Sequence, residues 1–213
     1  MDFLTVLLPM LFKGLKVTLY IASCGILLGF IVGCLSGYAL QGNNKFAKGI
    51  ANVYIWIIRG TPLVVQALYV YFALPKIIHV DLSSNIAGII VISLNSGAFI
   101  SEIVRGALQG IDVGQKEAGV ALGLTSYQTL LHIIVPPAFK AMLPALFNQF
   151  IISVKDTALL SIIVVNEVTK QMMNYQAITF NTIPTYTTGA LFYLSIISVL
   201  IIIQKQVEKK MAG

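Results

Sequence analysis

Four polar side chains stand inside otherwise apolar stretches of this 213-residue chain: Asn95, Glu102, Lys155 and Asp156. Asn95 and Glu102 are seven residues apart and share a face of any helix that carries them. Arg105 follows Glu102 by one turn, at pairing distance. Lys155 shares a face with Asn148, and Asp156 with Gln149. Ionisable groups are costly inside a membrane span and mark paths for ions or polar solutes by default. A cation beside an anion suits a solute that carries both a carboxylate and an ammonium, with Lys155 for the first and Asp156 or Glu102 for the second. Structural alternatives stand beside that reading. Glu102 lies near the end of its apolar stretch, where a surface ion pair costs little, and Lys155 and Asp156 could satisfy other subunit residues and merely hold a bundle together. Reaction chemistry has no comparable support. The sequence contains no G-x-x-x-x-G-K-[ST] phosphate loop, no H-E-x-x-H and no G-x-S-x-G. His79 and His132 are far apart, and Cys24 and Cys34 lie in one apolar segment, where they read as packing residues and not as a metal or disulfide site.

These residues need a membrane bundle to position them. The chain is 57% hydrophobic and 10% charged, against about 25% charged in a soluble domain. An all-α integral membrane protein follows, one domain over residues 1–213, with five spans at about 17–40, 50–74, 86–106, 141–166 and 187–203. The net charge of +6 is spread along the chain and serves as a topology signal, with no footprint for nucleic acid. The opening MDFLTVLLPMLFKGLKVT reads as an interfacial helix broken near Pro9 and anchored by Lys13 and Lys16; no small-x-small cleavage site follows it. In the first span Gly25, Gly29, Gly33 and Gly37 recur at every fourth position, a close-packing stripe for a neighbouring helix or a second subunit. In the second, Gly60 and Pro62 mark a break: Pro62 lacks a donor and disturbs the carbonyl of Ile58. Residues 167–186 read as a polar loop. With the C-terminus inside and the N-terminus outside, nine Lys and Arg fall on the inner side, four outside and Lys155 within the bundle, accounting for all 14.

Between the third and fourth spans, residues 112–137 read as a helix–turn–helix bracket facing water. Asp112 and Gln115 have capping-box spacing, Gly123 is placed to end the first helix, and Thr125 with Gln128 repeats the box for a second. Pro136 and Pro137 are expected to close that second helix or bend it into the next segment.

Glu117-Ala118-Gly119, then Gly123, then Ile133-x-Val135-Pro136 nine residues on, resembles the EAA loop of ABC-importer membrane subunits, with Gly119 in place of the second Ala and Val135 in place of Leu. Arg59-Gly60-Thr61-Pro62 followed by Gln66, Asn95-Ser96-Gly97-Ala98 followed by Glu102 and Arg105, and Lys155-Asp156-Thr157-Ala158-Leu159 extend the likeness over nearly the whole chain. Together they are similar to the polar amino-acid permeases of the histidine, glutamine, arginine and glutamate types, most of all the glutamine-transport type. The resemblance implies a transport subunit of the bacterial plasma (inner) membrane and no enzyme. Its first bracket helix, fixed by Glu117, Ala118, Gly119 and Gly123, would be the coupling helix seated in a groove of a separate ABC ATPase. No cofactor is expected in this chain; Mg-ATP would belong to the ATPase partner. Further implied partners are a second permease copy or a homologue, an extracytoplasmic amino-acid-binding protein, a polar amino acid and membrane lipid. An ion-coupled secondary carrier using Glu102 or Asp156 for protons is the alternative of another class. Five spans with no duplicated halves weigh against it.

Overall fold

Glycine at every fourth position sets the closest helix pair in the molecule. In the computed structural model, which describes residues 3–212, helix α1 (Phe3–Gln41) buries Gly25, Gly29, Gly33 and Gly37. All four face helix α4 (Ser84–Gln109). A Cβ added at Gly25 would stand 2.6 Å from the Ile92 side chain, and one at Gly33 2.6 Å from Ile100. Gly25 meets Ile92 while Gly37 meets Val104, so the two helices run parallel. The stripe therefore serves a helix of the same chain, which settles the choice the sequence leaves open.

Between them, α2 (Lys45–Gly60) and α3 (Leu63–Ile78) form an apolar helix pair broken at Thr61–Pro62 and bent by 105°. Asn44 caps α2, its side chain accepting from the N–H groups of Phe46 and Ala47. After α4 comes α5 (Val113–Ala121), then α6 (Ser126–Ile163), α7 (Val168–Thr179) and α8 (Thr182–Ala212). Among the described residues four helices are long and apolar enough to cross a membrane, and the bent pair makes a fifth candidate. Each span needs only about 20 apolar residues, so length and composition give four to five candidates.

Several local expectations change. The opening segment is not a separate interfacial helix: α1 runs unbroken through Pro9. Proline removes one donor near the helix start, and the buried contacts of Leu7 and Leu11 with Val168, Met172 and Tyr175 hold the segment on axis. Pro136 and Pro137 do not end the second bracket helix, which continues as α6 with a π turn over Leu130–Ile134. There the Val135 N–H bonds the Leu130 carbonyl. The same device precedes Pro75, where the Leu74 N–H reaches Tyr69 across the π turn Tyr69–Ala73 of α3. Widening the helix one residue ahead of a proline relieves the clash between its ring and the preceding turn. The region expected to be a loop, 167–186, carries α7 and the start of α8.

The bundle has two distinct ends. At one, Gln41 Nε2 donates to the Arg105 carbonyl at 3.2 Å, beside the bracket. At the other, the backbone of Val168 lies where a Cβ on Gly14 would be, 2.8 Å away. The main core sits toward this second end, where Ile21, Ala67, Val91, Leu160 and Ile163 are buried together.

Candidate functional site

The bracket is built by local chemistry. Asp112 caps α5, its Oδ1 accepting from the Gly114 N–H at 2.6 Å; Gln115 uses its backbone N–H to the Asp112 carbonyl, so the expected reciprocal box does not form there. The helix ends in a Schellman motif. Gly123 takes φ +74°, its N–H bonds Val120 at 2.9 Å, and the Leu124 N–H bonds Gly119 at 3.1 Å. Thr125 and Gln128 then form a full capping box for α6. Gly119 is buried against Thr129, and a Cβ at Gly119 would stand 2.5 Å from Thr129 Cγ2. That contact gives a physical reason for glycine where the EAA pattern has alanine. Glu117 and Ala118 are exposed, as are Val113, Val120 and Leu122. Beneath α5 lies a cleft of about 400 Å³ lined by Tyr38, Gln41, Asn43, Leu108, Lys116 and Thr129.

The helix break lies deeper. Proline at 62 frees the Ile58 carbonyl, and Gln66 recovers it. Its Nε2 donates to Ile58 O at 2.8 Å, to Thr61 O at 3.0 Å and to Thr61 Oγ1 at 3.0 Å. The Thr61 hydroxyl donates to Ile57 O at 2.8 Å. Non-helical backbone at membrane depth persists only where such groups are satisfied again. A cavity of about 440 Å³ adjoins the break, lined by Ile58, Thr61, Gln66, Tyr69, Val91 and Leu94. The resemblance singles out Gln66, but its bonding role is not legible because its partners lie across a break whose angle no periodicity encodes.

The four intramembrane polar residues do not converge as one cluster. Glu102 is held by Arg105 at 2.6 Å and faces Arg59 at 3.9 Å, so α2, just ahead of the break, is tied to α4. Arg105 also donates to Gln109, and the Arg59 guanidinium lies 5.4 Å from the Phe99 ring centre. Asn95 is buried on α4, about 10 Å along the axis from Glu102. Lys155 is exposed and Asp156 half-buried, and neither has an ion-pair partner among the described residues. Neighbouring residues on a helix point apart, so the two charges offer separate faces to a solute. Gln149 is buried on the Asp156 side and its Nε2 has no partner among the described residues. No cluster of metal-ligating side chains occurs among the described residues.

Sequence reading missed Glu167. It is fully buried and caps α7. Its carboxylate accepts from the N–H of Thr169 at 2.8 Å, the N–H of Lys170 at 2.7 Å and the Tyr193 hydroxyl at 2.9 Å. Burial pushes its carboxyl above the usual carboxylate range, and these three hydrogen bonds offset only part of that. The available signal was an acidic residue opening the polar stretch Glu167-Val168-Thr169-Lys170, weak because glutamate is not a preferred N-cap.

Residues 5–213 match the model of the binding-protein-dependent transport system inner membrane component family. The chain is 42% identical over 205 residues to the glutamine transport system permease protein GlnP of Escherichia coli, covering 96% of this chain and 94% of that one. It is 33% identical over 204 residues to the arginine transport system permease protein ArtQ of Bacillus subtilis, covering 96% and 93%. A crystal structure of an amino acid ABC transporter with histidines superposes at TM-score 0.89, with 31% identity and 99% coverage of both chains. The MetNI methionine ABC transporter shares the fold at TM-score 0.82, with 18% identity and 99% coverage of both chains. A membrane chain of this fold and these relatives belongs to the family of binding-protein-dependent transport system inner membrane components.

Proposed function

We propose that this chain is the permease subunit of an ATP-driven importer for polar amino acids, with glutamine as the leading substrate. The single observation that carries this reading is the bracket: a nine-residue helix, α5, stiffened at both ends and offered to solvent with Glu117 and Ala118 exposed. The likeness to the glutamine permease of Escherichia coli supports the substrate. Residues 1–213 act as one membrane domain. The bracket end faces the cytoplasm, in keeping with the distribution of Lys and Arg. Its partners are ABC ATPase subunits that hydrolyse Mg-ATP, a second copy of the chain or a homologue, and an extracytoplasmic binding protein.

Coupling follows from how the bracket is joined. The capping box and the Gly119–Thr129 contact make α5 and the start of α6 one body. From Ser126, α6 extends 38 residues and carries Lys155 and Asp156 near its far end. A shift of α5 driven by closure of the ATPase pair is therefore carried along α6 to the two unpaired charges. Lys155 attracts the substrate carboxylate and Asp156 its ammonium, with Asn95 on the facing helix. Glu102, engaged by Arg59 and Arg105, helps set the inner half of the path where α2 breaks.

The test is purification of the tagged protein in mild detergent and mass spectrometry of what comes with it. A stoichiometric ATPase, lost when Glu117 and Gly123 are replaced, is the expected result. A protein that purifies alone and takes up amino acid on an ion gradient would overturn the proposal.

A further inference from the structure

We infer that Thr157–Glu167 is a conformational joint of the transport cycle, in which Glu167 is a fixed pivot and the segment Thr157–Ile163 rewinds between 3₁₀ and α forms. The inference rests on the transport reading above and goes beyond it by naming where the far end of α6 moves.

Four observations converge. First, α6 stops being α-helical at Asp156 and continues for seven residues, Thr157–Ile163, as a 3₁₀ helix. Runs beyond three or four residues are uncommon, and one continuous with an α-helix marks a hinge or a strained sequence. Secondly, the segment ends at Val164 with φ 62°. A β-branched side chain in the left-handed region is a genuine outlier that only its surroundings can hold. Thirdly, the chain just beyond it is pinned. Glu167 is fully buried and bonded to Thr169, Lys170 and Tyr193. The Val168 N–H donates to Thr18 of α1, and Gly14 leaves no room for a Cβ there. Fourthly, Leu160 and Ile163 pack into the same core as Ala67 and Val70 of α3. Val70 lies in the π turn that follows the Thr61–Pro62 break. This 3₁₀ segment and this π turn thus share one buried cluster, so a change in either is felt by the other.

The geometry defines the motion. A 3₁₀ helix rises about 2.0 Å per residue and an α-helix about 1.5 Å. Rewinding seven residues against a fixed pivot moves Lys155 and Asp156 by roughly 3.5 Å along the axis and rotates them by about two-fifths of a turn. It also lets Val164 leave the left-handed region. Glu167 in this scheme is a positioning residue that acts through the segment it anchors.

The experiment is hydrogen exchange with mass spectrometry on the whole transporter in nanodiscs, nucleotide-free and vanadate-trapped, alongside ATP-dependent glutamine uptake by the same preparation in liposomes. Protection over residues 157–166 is expected to change about tenfold between the two states, while residues 168–179 stay protected in both. In a second arm, Val164→Gly should keep assembly and ATPase activity but worsen the ratio of substrate moved to ATP hydrolysed. Glu167→Gln should erase the difference in protection between the two peptides, and Glu167→Asp should restore part of it. Uptake with identical exchange over 157–166 in both states would overturn this inference alone. Absence of ATP-dependent uptake by the unmodified protein would overturn the transport reading and the joint with it.

Discussion

Gly119 and Thr129 show how one atom decides the shape of the bracket. The two residues lie on successive helices and touch where no Cβ fits. Gly119→Ala alone is expected to cost about 1–3 kcal/mol through overpacking and to weaken ATPase capture. Adding Thr129→Ala removes the two atoms in closest conflict and should recover most of the loss. Melting of the purified protein with a pull-down of the ATPase checks both, and equal behaviour of single and double variants would refute the contact. Gln66 acts through its amide. Gln66→Leu leaves the Ile58 and Thr61 carbonyls without their donor, at a cost of about 1–3 kcal/mol, whereas Gln66→Asn is too short to span from Thr61 to Ile58 and should lose nearly as much. A thermal-shift series at this position reads the effect directly; a Leu variant as stable as the parent would mean that water or lipid serves those carbonyls.

At the scale of elements, the helix-terminating chemistry was legible in the sequence because it is local. Gly123 ends α5, Thr125 and Gln128 open α6, and Pro62 breaks the second span, each decided within four residues. What was not legible depends on partners distant in sequence. Pro9 leaves α1 intact because Leu7 and Leu11 are clamped by α7. Pro136 and Pro137 leave α6 intact because a π turn absorbs them. Glu167 looks like loop polarity until the fold brings Tyr193 to its carboxylate and Thr18 to the N–H of Val168 beside it. The glycine stripe falls between these cases: its spacing announces close packing but not the partner. With α4 as that partner, Gly33→Leu is expected to cost about 3 kcal/mol or more in the isolated chain, independent of protein concentration. A loss that appeared only on dilution would point to a second subunit at the stripe instead.

For the molecule as a whole, the bracket and Glu167 occupy opposite ends, and α6 reaches from the first to within a few residues of the second. Lys155 and Asp156 have no ion-pair partner among the described residues, a cost unnecessary for a purely structural bundle. Lys155→Met removes the cation while keeping most of the side-chain volume. A hydrogen bond to a charged group contributes about 1.5–3 kcal/mol, so loss of the carboxylate contact should lower glutamine uptake by about tenfold or more. Because Lys155 is exposed and unpaired among the described residues, the variant should assemble normally and retain ATP hydrolysis. Uptake and hydrolysis measured on the same reconstituted preparation separate these effects. Unchanged uptake would remove Lys155 from the path and leave its charge to a neighbouring subunit, while joint loss of assembly and uptake would assign it to the interface between permeases.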